Sequence, residues 1–145
     1  MGQLYVLLAD DDEDDCFFFQ EALNELPVSA RLAIVHDGEE LMQLLTKTTA
    51  SLPDVLFLDL NMPRKNGFEC LLEIKSSEQL KRLPVVILST SFDRVMADRL
   101  CRSGASCCMH KPLGHSELNQ LIQQALTLVE QKADLPAASG TVVIG

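Results

Sequence analysis

The chain has no tryptophan and one tyrosine, and aromatic residues make up only 5% of it, so any core it builds must be aliphatic. Basic residues are also few: 12 lysines and arginines stand against 21 aspartates and glutamates, for a net charge of −9. That balance disfavours nonspecific nucleic-acid binding and anionic membrane surfaces, both of which attract positive charge. No apolar run approaches the roughly 20 residues of a membrane span. The first residues show no basic start, long apolar stretch or small-residue cleavage site, so no signal peptide is read and the cytoplasm is the expected compartment. The five cysteines (Cys16, Cys70, Cys101, Cys107, Cys108) contain no C-x-x-C pair. His36, His110 and His115 have no metal-ligand spacing with them. The thiols are therefore read as small buried hydrophobes in a reducing compartment, with neighbours Cys107 and Cys108 on opposite faces of a strand.

What is present is an alternation. The 145 residues suit one domain. Leu4–Leu8, Arg31–Val35, Val55–Leu58, Val85–Leu88 and Ala105–Met109 read as short apolar strands. Between and after them lie helical patterns: one begins within the acidic run Asp10–Asp15 and is closed by Pro27, and the others cover about 39–46, 68–76, 93–103 and 117–131. The early acids suit a helix N-terminus, where the macrodipole favours negative charge. Phe17, Phe18 and Phe19 are read as helix packing, although three successive residues cannot all face one core. Five strands alternating with five helices mean a doubly wound α/β fold, a parallel sheet with helices on both faces. The small-residue tail, 133–145, is expected to be flexible; Val142-Val143-Ile144 is left open between a sheet-edge addition and a short end with no role.

In such a sheet the carboxyl ends of all strands share one edge, where ligands bind. Strand one brings Asp10 and Asp11 there, strand three Asp59, strand four Ser89 and Thr90, and strand five Lys111. Two carboxylates ~4 Å apart repel by roughly 4 kcal/mol at an effective dielectric of 20, so the cluster needs a cation or must take up protons. Mg²⁺ fits best, because it prefers hard oxygen ligands and bridges to phosphate. Lys111 would neutralise one phosphoryl oxygen and Ser89 would donate to another.

The wording L-A-D-D-D, L-D-L-N-M-P-R-K-N-G, V-V-I-L-S-T-S and K-P, in this order, resembles the response-regulator receiver domain of two-component signalling. It is the chemotaxis-regulator type, most similar to stand-alone receivers associated with bacterial phytochromes. The resemblance covers about residues 4–132. It implies a flavodoxin-like (βα)5 fold with strand order 2-1-3-4-5, a receiver over 1–132 and a separate tail over 133–145. It implies that Asp59 accepts phosphoryl from a histidine kinase or phosphotransfer protein. Asp11 and Asp59 would ligate Mg²⁺ directly, Asp10 through water, and the Asn61 backbone carbonyl would complete the protein ligands. Ser89 and Lys111 would hold the phosphoryl group, Asn61 and Ser91 would tune its lifetime, and Lys111-Pro112 would be cis. The product would be a phosphoprotein with slow self-catalysed turnover rather than an enzyme. Output would run through the fourth helix, fifth strand and fifth helix to a protein target, with a homodimer admitted.

Two positions depart from the family pattern. Cys108 stands where the family has Tyr or Phe three residues before the lysine, which removes the ring of an aromatic switch. Thr90 stands where Ala or Gly is usual, and its bulk narrows access to Asp59. Three other readings are set against this one. A calcium loop through Asp10, Asp12, Asp14 and Glu21 fails because Asp15 occupies the glycine position. Asp12–Asp15 are instead read as solvated helix-start charges. A magnesium phosphohydrolase with an aspartyl nucleophile lacks its second acid at Asp59, which is followed by Leu60-Asn61; Asp10-x-Asp12 supplies the spacing, but no cap-sized insertion follows, so this stays a minor reading. A phosphorylation-independent interaction module is favoured by Cys108.

Overall fold

The computed structural model describes residues 3–47, 52–90, 93–112, 114–133 and 142–144. In chain order the elements are β1 (Leu4–Ala9), α1 (Glu13–Asn24), β2 (Ala30–Val35), α2 (Gly38–Lys47), β3 (Val55–Leu58) and α3 (Gly67–Ser76). They continue with β4 (Val85–Ser89), α4 (Arg94–Arg102), β5 (Cys107–His110), α5 (His115–Ala133) and β6 (Val142–Ile144). The strands are parallel and ordered β2-β1-β3-β4-β5-β6. The expected order 2-1-3-4-5 is thus observed, and a sixth strand extends it. β6 pairs Val142–Ile144 with Cys107–Met109, so the sheet-edge addition left open in the sequence is made.

The central strands are apolar throughout because both faces of the sheet are covered. Alternate residues divide between two cores. Leu7, Leu56, Leu58, Ile87 and Cys108 pack with α2, α3 and α4 through Leu41, Leu71 and Leu100. Val6, Leu8, Phe57, Val86 and Cys107 pack with α1 and α5 through Phe19, Leu23 and Ile122. Cys107 and Cys108 therefore do lie on opposite faces, both buried. The phenylalanine run divides in the same way. Phe19 is buried edge-on against Phe57, with centroids 4.9 Å apart, while Phe17 and Phe18 are 57% and 51% exposed.

Two helix starts border the sheet edge that carries the acids. Asp12 caps α1 by accepting from the Asp15 N–H. Asn66 caps α3 in a reciprocal box with Glu69. Asn66→Ala removes an acceptor from the Glu69 N–H and is expected to cost about 1 kcal/mol. Urea unfolding should then show a lower midpoint at unchanged slope; an unmoved midpoint would mean that the box adds nothing.

Candidate functional site

Strand register alone sets two carboxylates side by side. Ala9 of β1 pairs with Leu58 of β3, so the next residues, Asp10 and Asp59, emerge together. The Asp10 N–H donates to the Val35 carbonyl and the Asp59 N–H to the Ala9 carbonyl, each at 3.0 Å. Asp10 is 1% and Asp59 5% exposed. Asp11, which is exposed, completes a cluster whose carboxylate oxygens lie within 4.8 Å of one another. One oxygen of each buried carboxylate is tied by backbone: Asp10 Oδ1 accepts from the Asp12 N–H at 3.0 Å, and Asp59 Oδ1 from the Asn61 N–H at 3.2 Å.

The other oxygens face Lys111. Its Nζ lies 2.7 Å from Asp10 Oδ2, 2.8 Å from Asp15 Oδ2 and 3.3 Å from Asp59 Oδ2. The Lys111 N–H donates to the Ser89 carbonyl at 2.8 Å, which fixes the strand end that carries the ammonium. Burial works against the charged ammonium, but hydrogen bonds to Asp10 and Asp15 outweigh it and hold the Lys111 pKa above its usual value. Asp59 goes the other way. Burial pushes its carboxyl up to about 6; the Lys111 charge opposes this only in part, and the Asp10 charge adds to it.

Ser89 is fully buried, and its Oγ has no hydrogen-bond partner among the described residues. A buried hydroxyl left unpaired costs about 1–3 kcal/mol, which a ligand oxygen would recover. Thr90 and Asn61 line a cleft of about 1030 Å³ on the α4 side, together with Phe68, Asp93, Met96 and His110. Ser91 lies outside the described residues. The sequence-derived residues Asp10, Asp11, Asp59 and Lys111 are thus brought together, with Ser89 beside them on the next strand. The Lys111–Pro112 bond is trans, as is every peptide bond among the described residues. This corrects the cis expectation; the two X–Pro isomers differ by only ~0.5–1 kcal/mol, so a dipeptide does not select between them.

Several residues at the site are not among the candidates visible in the sequence. Asp15 is no solvated charge: it reaches across from α1 to Lys111. It precedes Phe19 by one helical turn, but only packing shows that Phe19, rather than Phe17 or Phe18, is the buried one. Cys16 donates its thiol to the Asp10 carbonyl at 3.4 Å; burial, then the Asp10 charge, push that thiol up to about 12, so it stays protonated. His36 Nδ1 lies 3.2 Å from the same carbonyl and must carry the proton there. Gly67 packs so closely on Asp59 that a Cβ would stand 2.2 Å from the Asp59 carbonyl oxygen.

The arrangement of hard oxygen donors, two of them buried, fits a divalent cation, and the unpartnered Ser89 hydroxyl with the Lys111 ammonium fits an anionic group beside it. A family model for the response regulator receiver domain matches residues 6–123. The chain belongs to the response-regulator receiver family. Its receiver is 31% identical to the response regulator Rcp1 of Synechocystis sp., over 92% of this chain and 93% of Rcp1. Among solved structures, the phosphorylated cyanobacterial phytochrome response regulator RcpA superposes with a TM-score of 0.78 at 34% identity. That match covers 96% of this chain and 99% of RcpA. The Mn²⁺-bound form of Rcp1 gives 0.79 at 30% identity, over 92% and 99% of the two chains. The receiver chain is thus homologous to phytochrome-associated response regulators along nearly its whole length, and a phosphoacceptor role in signalling follows.

Proposed function

We propose that Asp59 is the phosphoacceptor of this receiver and that Mg²⁺ is its cofactor, held by Asp11 and Asp59, by Asp10 through water, and by the Asn61 carbonyl. The observation that supports this most is the Lys111 ammonium, held 2.7 Å from Asp10 and 3.3 Å from Asp59 at an edge where three carboxylates converge. An Asp59 oxygen attacks the phosphorus of a phosphohistidine. The O–P bond forms, the N–P bond breaks, and its electron pair returns to the imidazole, which takes up a proton. Mg²⁺, when bound, supplies the positive charge that offsets the carboxylates and the phosphoryl oxygens. Lys111 pairs with one phosphoryl oxygen and the Ser89 hydroxyl donates to another. Thr90 narrows the approach to Asp59. Asn61 and Ser91 set how fast water hydrolyses the acyl phosphate, so the domain turns over slowly as a phosphoprotein and does not act as an enzyme on other substrates.

The donor is a histidine kinase or phosphotransfer protein in the cytoplasm. Residues 1–132 form the receiver, 133–145 extend it, and output runs through α4, β5 and α5 to a protein target or a second copy. β6 already pairs with β5, so a partner meets α4 and α5, where Val95 is 70% exposed. Cys108 is fully buried among Ile87 and Leu100, so coupling rests on Ser89 and α4 rather than on a moving ring. The same residue favours a second reading, a module whose binding ignores phosphorylation.

Intact mass after incubation with acetyl phosphate and Mg²⁺ tests the first reading. One added phosphoryl group is expected on the wild type and none on Asp59→Asn or without Mg²⁺. Modification that persists in Asp59→Asn would place the acceptor elsewhere. A partner bound equally by Asp59→Asn and by phosphorylated protein would favour the second reading.

A further inference from the structure

Lys111 and a divalent cation draw on the same carboxylates. The ammonium takes Asp10 Oδ2 and Asp59 Oδ2, and both carboxylates belong to the Asp10–Asp11–Asp59 cluster. Its third contact, Asp15 Oδ2 at 2.8 Å, lies outside that cluster. An ammonium has three donor hydrogens, and these three carboxylates meet them. A cation entering the cluster draws Asp10 and Asp59 toward itself and would strip a nearly buried ammonium, 12% exposed, of two partners. Leaving such a charge unpaired is costly and would oppose cation entry. Asp15 is fixed from behind, because its N–H is bound by the Asp12 cap at the start of α1.

We infer that Asp15 is a positioning residue for Lys111: it holds the ammonium on the α1 side of the site, so that a divalent cation can take Asp59 directly and Asp10 through water without leaving Lys111 unpaired. The inference rests on the receiver reading for its purpose, but it concerns cation affinity and can be tested without phosphorylation. Asp15 is not itself a metal ligand in this scheme and does not touch the phosphoryl group. It acts through Lys111.

The test is calorimetric titration of Mg²⁺ into chelator-treated full-length protein. Asp15→Asn is expected to weaken binding about five-fold, the scale of one charge-assisted hydrogen bond with a partner 37% exposed. Asp14→Asn, which removes the same charge from the next residue of the same turn, should change the affinity by less than about two-fold, since Asp14 is exposed. Asp15→Glu should restore it. Lys111→Met should tighten binding, because the competitor is gone, and adding Asp15→Asn to that background should then do no more than Asp14→Asn. The inference is overturned if Asp15→Asn matches Asp14→Asn, or if its effect survives in Lys111→Met. Acetyl phosphate labelling of the wild type, run in parallel, separates the two readings. Absence of label from acetyl phosphate and from a phosphorylated histidine-kinase donor alike overturns the receiver chemistry, while the titration still decides Asp15.

Discussion

Asp59→Asn is expected to make the metal-free protein more stable at pH 7, by up to about 3 kcal/mol, and to flatten its pH dependence. The carboxyl's pKa is raised from a usual 3.8 to about 6, chiefly by burial and against the partial relief that Lys111 gives. Between those two values the native state binds the proton that the unfolded state has released. Stability therefore falls as pH climbs through that window and levels off above it. About two pKa units correspond to about 3 kcal/mol at neutral pH. Asn has nearly the shape of a protonated Asp and carries no charge, so the variant escapes that cost. At pH 3, where Asp59 is protonated in both states, the two proteins should differ little. Urea unfolding of both proteins across pH 3–8 in chelator checks this, and comparing them cancels the other carboxylates. A stability difference that stays flat across pH 4–7 would show that burial of the Asp59 charge is not the controlling cost. Mg²⁺ should narrow the gap at pH 7 by stabilising the wild type, because a ligand bound only by the native state adds stability by mass action.

The same desolvated carboxylate shows how far the sequence could be read. A buried strand that stops at an aspartate is visible in V-L-F-L-D, and this end together with three others on the same edge brings in Asp10, Asp11, Asp59, Ser89 and Lys111 without any coordinates. The alternation of apolar runs with helical periods also suffices for a parallel, doubly wound sheet, whereas its order, 2-1-3-4-5, follows only from the family resemblance. Contacts that depend on the rotation of a helix about its axis are harder to read. Asp15 sits in a run of six acids whose local meaning is the same, and only packing of Phe19 under α1 turns Asp15, rather than Asp14, toward Lys111. The three phenylalanines carry the same ambiguity, resolved by Phe57 beneath them. β6 was undecidable for another reason: a three-residue apolar segment has too little pattern to separate an edge strand from an end. Gly67 is visible in the sequence only as the end of L-D-L-N-M-P-R-K-N-G, whereas its main constraint is the backbone of Asp59 and Leu60 packed against it, which no dipeptide shows.

That constraint carries the last large effect. Gly67→Ala is expected to cost about 2–4 kcal/mol and to slow phosphoryl uptake by about ten-fold or more, the penalty that ~1 Å of misplacement at a reacting group can impose. A Cβ at position 67 would stand 2.2 Å from the Asp59 carbonyl oxygen and 2.8 Å from the Leu60 Cα. Both are backbone atoms of the acceptor's own strand end, with no rotamer to give way. The chain must separate there. Separation loosens the Gly67 N–H bond to the Leu60 carbonyl, 3.0 Å in the native fold, and shifts the hinge on which Asp59 is presented. Gly114→Ala is the matched control, because a Cβ there meets only the flexible Glu117 carboxylate, its nearest oxygen at 2.5 Å. Its stability should change by less than about 1 kcal/mol. Thermal unfolding and acetyl phosphate labelling of the two variants decide the matter. If Gly67→Ala melts and labels like the wild type, the strand end is free to relax and close approach of the third helix is not what positions the acceptor. If it melts lower but labels at the normal rate, the approach serves the fold alone. Loss of both ties the placement of Asp59 to the one residue type that lets α3 begin against its backbone.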